Sequence, residues 1–302
     1  MGRGFGGTFQ YRAWRVVSAT LEHIPPRAGY AVAAAAGNIG YYCWPRGRRA
    51  MHENFAHVLR GTPRKTRHAV ARRSMVNYCK YLADFVRFPG LSPEAMVGAV
   101  TGGREFEALD AILERGQGAV IACMHFGNWD LGAGATAARG YPLTVVVETF
   151  ADPRLDALIA GARERAGMNL VRMEKAGPSL LRALTQNGVL ALLIDRPVAE
   201  GGVRVTFFGE EVEVPAGPAR LALRTGAKVV PTAFVRTSPG KPDVTAICDF
   251  DIEAVSTGDR DGDTKALTQA IMQAHERIIR QHPDQWYMFR PMWAKPARAV
   301  VR

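Results

Sequence analysis

Acidic side chains are almost missing from the first third of this 302-residue chain. Residues 1–90 hold Glu22, Glu53 and Asp84 against 15 lysines and arginines. The remaining residues are nearly balanced, with 24 basic and 25 acidic groups, so the whole net charge of +11 lies at the front. Charge placed in this way indicates a basic attachment region on a nearly neutral body, facing a polyanionic partner. Cysteine is scarce as well. Cys43, Cys79, Cys123 and Cys248 are far apart with no C-x-x-C pair, which excludes a disulfide framework and offers no zinc-site spacing. Reduced cytosolic thiols are the plain reading. Long apolar runs are also lacking. The least charged early stretch, residues 28–44, contains Ala-Ala-Ala-Ala-Gly-Asn and falls short of the ~20 strongly apolar residues of a spanning helix. No compact apolar segment follows a basic start as in a signal peptide, so the stretch reads as a helix lying on a surface. Repeats and low-complexity tracts are absent, and 47% apolar with 22% charged residues excludes a wholly disordered chain.

What is present is a helical front and an alternating body. Pro25-Pro26, Thr62-Pro63 and Ser92-Pro93 each punctuate a helix start, with Thr62 and Ser92 as N-caps. From about Pro63 to Phe88, Val70, Met75, Tyr78, Leu82 and Phe85 form one apolar stripe. After Gly116 short apolar runs alternate with helical patterns. The runs are 118–126, 142–148, 169–173, 189–195, 203–209, 228–237 and 243–249, with helices near 128–139, 153–166, 177–187, 216–226 and 264–281. Near-continuous strands such as VLALLID between helices predict an α/β fold. Its central sheet is largely parallel and flanked by helices, with an antiparallel edge where the later strands crowd together. The division expected is a basic helical, membrane-associating region over 1–90 and an α/β core over 91–302, integrated as one domain. Chemistry in such a sheet belongs at the carboxyl ends of the strands.

One strand end stands out. AVIACM runs directly into His125-Phe126-Gly127-Asn128-Trp129-Asp130 and then a helix of small residues. A histidine where a strand stops and a helix starts sits among free backbone N–H groups. A carboxylate that holds one imidazole tautomer would make it a general base. The bland alternatives are a core histidine and, for Asp130, a first-turn acid stabilised by the helix dipole. The helix after Leu131 is almost wholly Gly, Ala and Thr, which suits either close packing or an apolar slot.

H-x-x-x-x-D, here HFGNWD, resembles the signature of glycerolipid-type acyltransferases in the form carried by the bacterial lipid A lauroyl/myristoyl acyltransferase family. That family includes the enzyme acting on phosphatidylinositol mannosides. VVVETFADPRLDALIAGARERAGM, LALLIDRPVAEGGVRVTFFGE, PAGPARLALRTGAKVVP and HPDQWYMFRPMW agree in order and spacing over roughly residues 30–295. The resemblance implies acyl transfer from a thioester to a lipid hydroxyl, with His125 as base and either Asp130 or Glu200 as its partner. It places Glu148 and Arg163 in the acceptor or headgroup region, and makes Asp195-Arg196 an acidic strand end bracing the loop of Glu200. Asn128 joins this substrate-facing set. The backbone N–H groups of Gly127 and Asn128 are the expected oxyanion donors. Acyl-CoA is the implied donor, with acyl carrier protein as the alternative. No cofactor or metal is implied. The family's lipid A enzymes usually carry an obvious N-terminal transmembrane helix; this chain departs from that, which favours a phosphatidylinositol-mannoside-like glycolipid acceptor. A peripheral enzyme on the cytoplasmic face of the plasma membrane follows as the expectation.

Two rival classes are weaker. Gly132-x-Gly134-x-x-Ala137 matches a dinucleotide fingerprint, but HFGNWDL intervenes between strand and glycines, which then fall inside the helix. The basic first third also raises nucleic-acid binding, yet it matches no RRM, helix-turn-helix or zinc-finger pattern. Basic residues beside Trp14, Tyr30, Tyr41, Tyr42 and Trp44 suit an anionic membrane surface better.

Overall fold

The proline punctuation divides the front of the chain into helices: α1 (Arg3–His23), α2 (Pro26–Cys43), α3 (Pro45–Val58) and α4 (Arg64–Arg87). A computed structural model describes residues 3–150, 152–172, 176–198 and 201–293. Pro63 itself, not Thr62, occupies the N-cap position of α4 and makes no side-chain cap. Thr62 lies in the preceding turn, where its N–H donates to Leu59 O. Ser92 does cap α5 (Pro93–Gly98), accepting from Ala95 N. Strand β1 (Val100–Thr101) and α6 (Gly103–Glu114) lead into the alternating body. There follow β2 (Ala119–Gly127), α7 (Trp129–Ala138), β3 (Leu143–Val147), α8 (Pro153–Arg165), β4 (Asn169–Arg172), α9 (Ala176–Thr185) and β5 (Val189–Leu193). The chain continues through β6 (Val203–Phe207), β7 (Glu210–Val214), α10 (Gly217–Thr225), β8 (Lys228–Arg236), β9 (Val244–Cys248) and α11 (Arg260–Gln281).

Seven strands form one sheet in the order β1-β9-β8-β2-β5-β3-β4, parallel throughout except for the antiparallel β8–β9 pair. The fold is therefore the mixed α/β architecture expected, although the strand at that edge is the short β1. One expectation changes. The run 203–209 does not join the sheet but pairs with β7 as a separate hairpin. Its two-residue turn, Phe208-Gly209, has φ 51 and 81 at the two positions, as a type I′ hairpin requires.

Strand β2 is buried along its whole length because both faces of the sheet are covered. Val120, Ala122, Met124 and Phe126 share a core with α9, α10, α11 and the hairpin, and Met51, Phe55 and Val70 of α3 and α4 extend that core. Ala119, Ile121 and Cys123 point the other way and share a core with α6 and α7, as the two-residue period of a strand dictates. The basic helical layer thus lies on the body through shared apolar side chains. Among the described residues no helix is long and apolar enough to cross a membrane.

Candidate active site

The site is built at the carboxyl edge of the sheet, where β2 gives way to α7. Gly127 makes the turn with φ +58. A side chain there would bring a Cβ to 1.9 Å from Phe234 O, so both backbone conformation and space require glycine. Asn128 then caps α7, its Oδ1 accepting from Leu131 N at 3.2 Å. This turn leaves His125 at the strand end with only 9% of its surface exposed.

The carboxylate that meets His125 is Asp195. Strand register explains why. β2 and β5 run parallel with Cys123 opposite Leu193, so two residues farther along His125 and Asp195 stand side by side. His125 Nδ1 lies 2.7 Å from Asp195 Oδ1, and the His125 backbone N–H donates to the same oxygen at 3.1 Å. An ionised carboxylate only accepts, so Nδ1 carries the proton and Nε2 presents its lone pair. The other oxygen, Oδ2, accepts from Trp286 Nε1 at 3.0 Å. Full burial alone would raise the Asp195 carboxyl. The imidazole beside it, the two His125 donors and the indole outweigh that effect and hold it below the usual carboxylate range.

Asp130, one of the two carboxylates offered as partner of His125, belongs to a different pair. Its Oδ1 accepts from Arg163 at 2.7 and 3.2 Å, and its Oδ2 from Tyr81 Oη at 2.8 Å. Burial alone would lower Arg163, but Asp130 more than offsets this and keeps the guanidinium charged. Arg163, expected in the acceptor or headgroup region, thus pairs with Asp130. Between the two pairs stands Trp129. Its ring stacks on Tyr81 at 4.0 Å and meets the His125 ring edge-on at 5.5 Å.

Asn128, expected as an oxyanion donor and substrate contact, is bonded within the protein. Its backbone N–H donates to Phe234 O at 2.9 Å, and its Nδ2 donates to Asp84 Oδ2 at 3.0 Å. With its Oδ1 capping α7, its backbone N–H, its Oδ1 and one N–H of its Nδ2 are engaged internally. Asp84, on α4, also accepts from Tyr30 Oη and from the Arg236 guanidinium. The turn is thus locked to the basic helical layer by a buried ion pair.

Glu148 is exposed, one residue beyond β3, and makes no hydrogen bond among the described residues. Arg196 is half-buried beside Asp195 and has no hydrogen-bond or ion-pair partner among the described residues. Glu200 lies outside the described residues. Around α7 the small residues serve close packing. A Cβ on Gly132 would enter the Phe234 ring and one on Gly134 would meet Met96 and Phe88. These are the fingerprint-like glycines, and they lie within the helix. Beside Thr136 a cavity of about 30 Å³ remains between Phe106, Ile121 and Phe234, room for little more than one water.

The HPDQWYMFRPMW segment, marked in the sequence only by the family resemblance, closes the site from behind. Residues 284–292 run across the strand end, with Tyr287 N donating to His125 O at 2.9 Å. The helical layer holds this strap through side-chain hydrogen bonds to its backbone. Ser74 Oγ donates to Trp286 O at 2.6 Å, and Asn77 Nδ2 to Asp284 O at 2.9 Å. Asn54 donates to Met288 O and Arg290 O and accepts from Met292 N. No periodicity or spacing signals such a contact over more than 200 residues of chain.

This arrangement can accept a proton at His125 Nε2 and stabilise the resulting imidazolium through Asp195. Comparison with known proteins gives the family of the chain. The sequence model of a family described as bacterial lipid A biosynthesis acyltransferase matches residues 9–295. The chain is 29% identical over 285 residues to a phosphatidylinositol mannoside acyltransferase of Mycolicibacterium smegmatis, covering 93% of this chain and 88% of the relative. It is also 29% identical over 261 residues to the phosphatidylinositol mannoside acyltransferase of Mycobacterium tuberculosis (strain CDC 1551 / Oshkosh), covering 84% and 79%.

Proposed function

Because this chain belongs to the bacterial lipid A biosynthesis acyltransferase family, we propose that it moves a fatty acyl group from acyl-CoA to a hydroxyl of a membrane glycolipid of phosphatidylinositol-mannoside type. An acyltransferase of the lipid A and phosphatidylinositol mannoside acyltransferase type is what the family and the relatives establish. Donor, acceptor and mechanism are the further steps of the reading. The observation that carries the mechanism is the 2.7 Å contact between His125 Nδ1 and Asp195 Oδ1. His125 Nε2 takes the proton from the acceptor hydroxyl as its oxygen attacks the thioester carbonyl. Asp195 stabilises the imidazolium, and the tetrahedral adduct then expels the thiolate, which receives the proton from Nε2. Gly127 N–H is the remaining candidate from the expected oxyanion pair. Arg196, a half-buried cation one residue from Asp195, suits an anionic group of donor or acceptor, and Glu148 suits a hydroxyl at the same edge.

The acceptor is lipid, and the basic layer supports docking on its surface. Val16, Val17, Val32, Ile39, Tyr42 and Trp44 are exposed on α1, on α2 and at the junction with α3. They lie among the exposed Arg12, Arg15, Arg27, Arg46 and Arg49. Apolar and aromatic tips ringed by arginine suit an interfacial position on anionic lipid, here the cytoplasmic face of the plasma membrane.

The test is mass spectrometry of lipids after the purified protein is given mixed membrane extract and palmitoyl-CoA. A new palmitoyl ester on a mannosylated phosphoinositide supports the reading. Transfer only from an acylated carrier protein, or only to a lipid without mannose, overturns the donor or the acceptor respectively.

A further inference from the structure

We infer that Trp286 is a positioning residue whose indole N–H sets how tightly the His125–Asp195 pair holds its proton; this rests on the reading of His125 as the base. Asp195 is fully buried. Its Oδ1 serves His125 twice, and among the described residues its Oδ2 has one partner, Trp286 Nε1 at 3.0 Å. The indole is therefore the donor from outside the pair that spreads the carboxylate charge. It is held firmly. Trp286 is 0% exposed, its ring lies among Phe55, Phe207 and Phe208, and its carbonyl accepts from Ser74 of α4.

Among the described residues, the other titratable and charged groups near Asp195 do not substitute for it. Cys123 on β2 and His275 on α11 are buried within electrostatic range of the carboxylate, yet His275 Nε2 is engaged with Ala122 O and neither residue bonds Asp195. Arg196 follows Asp195 in the chain without bonding it, and Tyr287 follows Trp286 with its backbone N–H on His125 O. Without the indole donor the buried carboxylate keeps its charge concentrated and becomes a stronger acceptor and base. The pair then holds its proton more tightly, and less free Nε2 remains at a given pH.

Trp286→Phe keeps an aromatic ring and removes the donor. Two readouts on the full-length protein in anionic vesicles test it. One is the titration of the His125 ring by NMR of 13C-labelled histidine, assigned with His125→Ala. The other is the acid limb of the kcat/KM profile with palmitoyl-CoA. Both are expected to move upward by about one pH unit, a tenfold loss of kcat/KM on the acid side, with the alkaline plateau within a few-fold of wild type. In an Asp195→Asn background the same substitution is expected to leave the ring titration unmoved. Superimposable titrations for wild type and Trp286→Phe, or an equal shift in the Asp195→Asn background, would overturn the inference. Should Trp286→Phe fail to fold, benzothienylalanine at position 286 keeps the bicyclic shape with sulfur in place of N–H and is held to the same outcomes. A fully active His125→Ala would remove the reading of the base, while the ring titration would still decide what Trp286 does to the pair.

Discussion

Asp84 in the basic helical layer and Arg236 at the end of β8 form an ion pair with 7% and 4% side-chain exposure, and Asn128, the residue that caps α7, donates to the same carboxylate. A group from the front of the chain is thereby bonded to the turn that positions His125. Gln285 completes the arrangement. Its Oε1 accepts from Arg236 N and its Nε2 donates to Arg236 O, at 2.8 and 2.9 Å. Front layer, sheet and strap meet at one point.

Removing one member of such a pair leaves a buried charge without its partner. Asp84→Ala is expected to cost about 3–5 kcal/mol, whereas Asp84→Leu combined with Arg236→Met recovers most of that loss. Urea unfolding of the single and double variants checks both statements. A coupling energy near zero, from the double variant and both single ones, would mean that the charges do not act as a pair.

Asp130 is engaged by Arg163 and Tyr81, so its influence on His125 is indirect. Asp130→Asn is expected to lower stability and raise KM while leaving the acid limb of the kcat/KM profile in place. Asp195→Asn is expected to remove that limb together with most of kcat. A pH-rate profile of each variant separates them.

Gly127→Ala brings a side chain into the Phe234 carbonyl at a positive φ. Strain and overpacking together are expected to cost on the order of 3 kcal/mol. Loss of soluble protein, or a matching drop in the urea midpoint, is the expected result.

His52 and His68 stack face to face at 3.8 Å on α3 and α4. Burial first, then His68, Arg48 and Arg64, push the His52 imidazole down to about 4. A histidine protonates near ~6.5 in the unfolded chain, so the folded protein binds fewer protons between these values. Stability is therefore expected to fall as pH drops from 6.5 towards 4. His52→Phe keeps the stack and should reduce the dependence, with His68 and the buried His275 still adding to it in the same direction. Urea midpoints across that window measure it.

The strand-turn-helix carrying His125 was legible because a continuous apolar run, a glycine and an Asn cap occur in immediate succession. The partner was not. Asp130 is near in sequence, but the first turn of α7 directs it towards α4 and α8, where Arg163 and Tyr81 take both its oxygens. Asp195 is 70 residues away and becomes a neighbour only through the β2–β5 register, which needs the strand order as well as the strands. Strand β7 was missed because Glu-Glu-Val-Glu-Val is too acidic to read as a core strand. It is an outer hairpin strand that buries Val212 and Val214. The Gly-Ala-Thr texture of α7 was equally suited to a slot and to close packing. The rings of Phe234 and Phe88 decide for packing at Gly132 and Gly134.

The central claim is that His125, oriented by Asp195, is the base of acyl transfer. Its most direct test is the initial rate of palmitoyl transfer from palmitoyl-CoA to membrane lipid by wild type and His125→Ala at matched folding. General-base assistance contributes about 10²–10⁴-fold, so the rate of the variant is expected to fall by at least about a hundredfold. A rate within tenfold of wild type would contradict the account.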